Sequence, residues 1–112
     1  MVLTKSEPFT VEEVEKLKEQ YEVYIKTVID LNKKICVAGM EMHFEGEKML
    51  LEQGSKQSDI WGGGLDLETL EIDYNSFINI RPKDGNAKND IQDEKIRIKY
   101  KDLTGYFFKE IL

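Results

Sequence analysis

Asn79 and Arg81 stand two positions apart in the run FINIRP, residues 77–82. If that run is a strand, both project from one face, because strand side chains alternate at period two. They would bring a planar guanidinium fork beside an amide that both donates and accepts, a pair able to orient a small anion such as a carboxylate or phosphate. The competing role is structural: Arg81 pairs with Asp59 or Glu47, and Asn79 ties down a loop. Twenty-two Asp and Glu against sixteen Lys and Arg favour the structural role, since acids to pair with are abundant.

His43, Glu45 and Glu47 would align on one strand face and could there approach a divalent cation, whereas on a helix they would not. Without a second ligand cluster, no metal is expected, and no other cofactor is implied. His43 could also act as a general base with Glu47 or Asp59 orienting its ring, but no nucleophile stands beside it. Ser55 and Ser58 lack the GxSxG elbow and read as turn or cap residues. Trp61 could stack on a ligand ring, although a sole tryptophan beside a strand more often anchors a core. Gly62, Gly63 and Gly64 match neither the Walker nor the Rossmann phosphate pattern and read as a flexible hairpin connection.

The blocks MHFEGEKMLLEQ (42–53), GSKQSDIWGGG (54–64) and FINIRPKDGN (77–86) together resemble a small bacterial and archaeal family with no assigned activity. The resemblance is carried by His43, Glu47, Leu50, Leu51, Gly54, Ser55, Gln57, Asp59, Trp61 and Gly62, then by Asn79, Ile80, Arg81, Pro82, Gly85 and Asn86. The chain departs from the pattern at Gly64, where an asparagine is common. The resemblance implies no mechanism. It directs attention to His43, Glu47, Asp59, Trp61, Asn79, Arg81 and Asn86 as the candidate ligand-binding set.

The elements that must position these residues begin at Thr10. With Glu13 it forms a capping-box pattern, and Phe9 and Val14 occupy the staple positions. Val14, Leu17, Tyr21, Tyr24, Val28, Leu31 and Ile35 then recur at spacings of three and four, which predicts one long amphipathic helix. Residues 34–44 read as a strand kinked at Gly39. Residues 45–53 fit either a short helix ending at Gly54 or a continued strand. Leu70, Ile72 and Tyr74, followed by 77–80, suggest an antiparallel pair ended by Pro82, and 83–89 reads as an exposed loop. Asp90 is placed to cap a last helix bearing Ile91, Ile96, Tyr100, Leu103, Phe107 and Ile111, with a strand at 96–100 as the alternative. The predicted architecture is therefore one α+β domain over residues 1–112: a long N-terminal helix, a small, mainly antiparallel sheet and a C-terminal helix.

The formal charge of −6 is uneven. Residues 1–80 hold 8 basic and 16 acidic side chains, and residues 81–112 hold 8 and 6. That balance disfavours a nucleic-acid partner, unless Lys95, Arg97, Lys99 and Lys101 line up on a strand rather than spread around a helix. The single cysteine, Cys36, lies in an apolar run and reads as a small core hydrophobe. No stretch approaches the roughly 18 apolar residues of a membrane span, and the start MVLTKSEPF lacks a secretory apolar segment, so a cytoplasmic location is expected. Two functions fit. The first is a noncatalytic binding or regulatory domain acting through protein–protein contacts, including a homodimer built on the long helix or a strand edge. The second is a small enzyme or binding protein for an anionic small molecule, with His43, Asp59, Asn79 and Arg81 in one polar pocket.

Overall fold

The computed structural model describes residues 1–112. Its elements are β1 (Leu3–Lys5), α1 (Val11–Gln20), β2 (Tyr24–Asp30), β3 (Ile35–Ala38), α2 (His43–Glu52), β4 (Ile60–Asp66), β5 (Ile72–Asp73) and α3 (Glu94–Phe107). Short 3₁₀ turns cover Gln57–Asp59, Phe77–Asn79 and Pro82–Asp84. The five strands form one sheet in the order β1-β3-β2-β4-β5, with every neighbouring pair antiparallel. The fold class is α+β.

The start of α1 follows from the sequence. Glu13 N donates to Thr10 Oγ1 at 3.1 Å and Thr10 N donates to Glu13 Oε1 at 2.9 Å, so two otherwise orphaned amides are satisfied reciprocally. Phe9 and Val14 are both fully buried, and Phe9 stacks on Phe108 at 4.8 Å between ring centroids. The helix is short, however, and does not run to Ile35. It stops at Gln20, and Tyr24–Asp30 becomes the central strand β2. The physical reason is burial on both faces: Ile25 and Ile29 enter one core while Val28 enters another, so β2 does not alternate apolar with polar. A doubly buried strand can imitate a period of three and four. Its β-branched run Ile25, Thr27, Val28, Ile29 was the signal against a helix.

Three layers result. Phe9, Val14 and Leu17 from the α1 side join Tyr100, Phe107 and Phe108 from α3 and its end against Ile25, Ile29, Cys36, Trp61 and Leu65 of the sheet. On the opposite face Leu50 of α2, with Met40, covers Val28, Val37 and Ile60. Leu17 is fully buried, so the stripe of α1 is spent on the sheet and is not an exposed seam. Cys36 is fully buried, and burial pushes its thiol pKa well up.

The glycine triplet is not a hairpin connection but the middle of β4. A side chain at Gly62 would meet Ser76 Cβ at 2.8 Å, one at Gly63 would meet the Tyr100 hydroxyl at 2.8 Å, and one at Gly64 would fall where the Tyr24 ring lies. Three neighbours thus occupy the space that ordinary strand residues would fill. The β4–β5 connection is instead Leu67–Glu71, with Asp66 accepting from Glu68 N at 2.8 Å and Thr69 N at 3.1 Å.

Residues 43–52 settle as helix, and Gly54 follows at φ +95°, as a C′ glycine should. The last helix is capped by Asp93 rather than Asp90: Asp93 accepts from Lys95 N at 2.8 Å and Ile96 N at 3.3 Å, while Asp90 pairs with Arg97 at 2.8 Å. Because 94–107 is helical, Lys95, Arg97, Lys99 and Lys101 spread around it and form no aligned stripe. No helix is long and apolar enough to cross a membrane.

Candidate functional site

The run 77–81 is not a strand. Phe77–Asn79 makes a 3₁₀ turn, so Asn79 and Arg81 do not share a strand face, and each reaches into β4 separately. Asn79 is fully buried and behaves as a substitute strand partner for Gly62: its Oδ1 accepts from Gly62 N at 2.9 Å and its Nδ2 donates to Gly62 O at 2.8 Å. The same Nδ2 reaches Tyr74 O at 3.1 Å and Asn89 O at 2.9 Å. Arg81 lies over the Trp61 ring at 3.9 Å and donates to the carbonyls of Gln57 and Ile60, which fixes the entry into β4. Asn86 is the one buried residue of the otherwise exposed loop 83–89. Its Nδ2 donates to the carbonyls of Asn79 (2.8 Å), Lys88 (2.9 Å) and Asp90 (3.0 Å), and its Oδ1 accepts from Gln92 N at 2.8 Å.

Glu47 and Arg81 approach one another without forming an ion pair. Glu47 Oε2 and Arg81 Nε are both buried without a hydrogen-bond partner, and the Glu47 charge opposes the lowering of the Arg81 pKa that burial imposes. Asp59 lines a different cavity of about 600 Å³ with Asn32, Lys34, Lys99 and Asp102. Trp61 is 4% exposed and belongs to the α1–α3 core. His43 is in neither place, so His43, Asp59, Asn79 and Arg81 do not meet in one concavity. His43 and Glu45 open α2 and Glu47 follows on the same helix, so the strand alignment that would have grouped the three side chains is not formed.

His43 instead forms one wall of a cavity of about 360 Å³ between the start of α2 and residues 73–78. Tyr24 and Lys26 of β2, Asp73 of β5, Asn75, Ser76 and Asn89 supply its polar lining, and Met42, Phe44, Phe77 and Ile78 its apolar lining. Tyr24 donates from its hydroxyl to Asp73 Oδ2 at 3.1 Å, and Asp73 Oδ1 accepts from Asn75 N at 2.8 Å and Asn75 Nδ2 at 2.7 Å. Burial, and then the neighbouring Asp73 carboxylate, drive the Tyr24 phenol well above its ordinary range. His43 Nε2 lies 2.7 Å from the Gly63 carbonyl. A carbonyl can only accept, so the neutral ring carries its proton on Nε2 and its lone pair on Nδ1. Phe77 at 77% and Phe44 at 57% are the two most exposed large apolar side chains of the whole chain, and both border this cavity.

A family model described as "Protein of unknown function (DUF5674)" matches residues 3–107. The chain belongs to this family. No curated protein and no solved structure matches it.

In this DUF5674 member the sequence blocks at 54–64 and 77–86 thus build a hydrogen-bonded knot around β4, while the open cavity lies beside it. Tyr24, Phe44, Asp73, Ser76 and Phe77 were not singled out from the sequence as site residues, although Phe44, an aromatic between His43 and Glu45, was a signal that could have found one side of the cavity.

The position of His43 makes stability depend on pH. Desolvation lowers its pKa below the ordinary 6.5, reinforced by Lys26 and opposed by the Gly63 carbonyl and Asp73. On acidification the unfolded chain therefore binds the proton first, so stability is full above about pH 6.5 and falls as the pH drops below it, until the folded imidazole also protonates. The slope from this residue is at most about 1.4 kcal/mol per pH unit. Urea midpoints at pH 7.5 and 5.5 should diverge in the native chain, and His43→Gln should remove much of the difference. Equal pH slopes in the two proteins would refute this assignment.

Proposed function

We propose that the chain is a noncatalytic binding domain that docks a partner protein on the cavity between α2 and residues 73–78. The observation that carries this reading is the concentration of exposed aromatics there: Phe44 and Phe77, joined by Met42 at 49% exposure, surround a polar interior. Aromatic residues and methionine are enriched at protein interfaces, and anchors seated around a pocket supply most of the binding energy there. The candidate catalytic groups do not bond to one another. His43 is bonded to a backbone carbonyl, and Ser55, which could have been a nucleophile, donates to the buried Asp30 at 2.6 Å. The anionic small-molecule reading loses its main recognition group as well, because the Arg81 fork is already occupied by two carbonyls.

The test is a peptide-display selection against the native protein, followed by binding measurements on Phe44→Ser and Phe77→Ser. Both side chains are largely exposed, so the variants keep their fold. Selected peptides are expected to lose at least tenfold in affinity for each variant. Enrichment of peptides that bind the variants as well as the native chain, or no enrichment at all, overturns the reading.

A further inference from the structure

The polar interior of this cavity narrows the chemistry of what enters it. Asp73 takes part in none of the ion pairs of the structure, which are Lys5–Glu13, Lys18–Glu15 and Arg97–Asp90. Its carboxylate is nevertheless oriented, by Tyr24 on one oxygen and by the amide and side chain of Asn75 on the other. An ionised carboxylate offers about four acceptor positions, so three are taken and one is open. The His43 ring has no hydrogen-bond partner other than the backbone carbonyl of Gly63, and its Nδ1 adds a second acceptor.

One cation lines the cavity, Lys26, and it does not neutralise Asp73: its Nζ donates to Glu41 O at 2.5 Å, on the α2 side. Asp66, which also raises the Tyr24 phenol pKa, lines the neighbouring cavity with Asp73 and Arg97 rather than this one, so Asp73 is the carboxylate of this cavity. The excess of acids over residues 1–80, 16 against 8, extends the same sign over most of the chain. Resting on the docking reading above, we infer that the group entering the cavity is the ammonium of a lysine side chain of the partner, its aliphatic stem held between Phe44 and Phe77 and its head at Asp73. The stem matches the apolar lining, as long cationic side chains bury their methylenes along apolar surface. A single open acceptor on Asp73 suits the point donors of an ammonium better than the paired donors of a guanidinium.

The probe is n-butylammonium, which reproduces the lysine side chain, compared with 1-butanol and butyrate in titrations followed by amide resonances of His43, Phe44, Asp73 and Phe77. The ammonium is expected to give saturable shifts at these positions and to bind at least fivefold more tightly than butanol. Asp73→Asn keeps an acceptor for Tyr24 and the shape of the side chain, and should weaken the ammonium at least fivefold while leaving distant resonances unmoved. Equal or tighter binding of butanol or butyrate, an unchanged affinity in Asp73→Asn, or no saturable shift with any probe overturns the inference. The Phe44 and Phe77 peptide experiment reads the docking surface without reference to charge, so the two ideas can fail separately.

Discussion

Gly63→Ala is expected to destabilise the chain by at least about 3 kcal/mol, a large fraction of the stability of an ordinary domain. Gly63 sits in the middle of β4, with Thr27 of β2 as its register partner. A methyl group there would overlap the Asp73 carbonyl of β5 and stand 2.8 Å from the Tyr100 hydroxyl and 3.0 Å from Tyr100 Cε1. None of these can yield cheaply. The carbonyl is backbone, and Tyr100 is fully buried with its hydroxyl bonded to Thr27. Relief would require parting β5 from β4, which also dismantles the Tyr24–Asp73 wall of the cavity. Gly105→Ala is the matched control: a methyl at that helical position meets nothing within 4 Å, and the change should add about 0.5–1 kcal/mol. Urea denaturation of both variants checks the pair, and a Gly63→Ala protein as stable as the native chain would refute the packing argument.

Arg81→Met should cost about 3 kcal/mol, or roughly 10–20 °C in Tm for a domain of this size, although no acidic side chain bonds directly to Arg81. Methionine keeps the stem and its contact with Trp61. It leaves the Gln57 and Ile60 carbonyls without their charged donor, and it leaves the partly buried Glu47 carboxylate without a nearby cation. Arg81→Lys should recover only part of the loss, because one ammonium cannot lie flat on the indole and serve two carbonyls together. Binding of n-butylammonium by the folded fraction should persist in both variants, since Arg81 does not line the cavity. A variant with native Tm would refute the role at the start of β4, and one that folds but loses the amine would show that Arg81 serves the cavity.

Local chemistry was legible at several points. Thr10 and Glu13 declared the start of α1, because a capping box satisfies two amides within four residues and needs nothing from elsewhere. Gly54 marked the end of α2, because a positive φ is accessible to glycine without strain. The last helix was visible from its spacing, with Tyr100 and Phe107 on its buried face, although its cap moved from Asp90 to Asp93 once Arg97 drew Asp90 into an ion pair. Asn79 and Arg81 were correctly marked as unusual and wrongly given a shared face, because the turn at Phe77–Asn79 is fixed by what surrounds it. Ser76 Oγ accepts from Ile78 N at 3.2 Å, and the amide of Asn79 is drawn to the Gly62 backbone across 17 positions of sequence.

The long N-terminal helix failed for the complementary reason. From Tyr24 to Asp30 the chain is buried on both sides, and only the arrival of α2 on one face and of α1 and α3 on the other makes it so. The cavity is further still from the local sequence. Tyr24 and Asp73 lie 49 positions apart, and they meet because β4 stands between their strands and carries, at Gly64, no side chain to separate them. By itself the sequence determined the charge imbalance, the capped start of α1, the absence of a membrane-spanning helix and the α+β class, since each follows from composition or from contacts within a few residues. Only the tertiary structure decided which polar residues became scaffold and which stayed open, because that depends on which backbone donors and acceptors the sheet left for Asn79, Arg81 and Asn86 to satisfy.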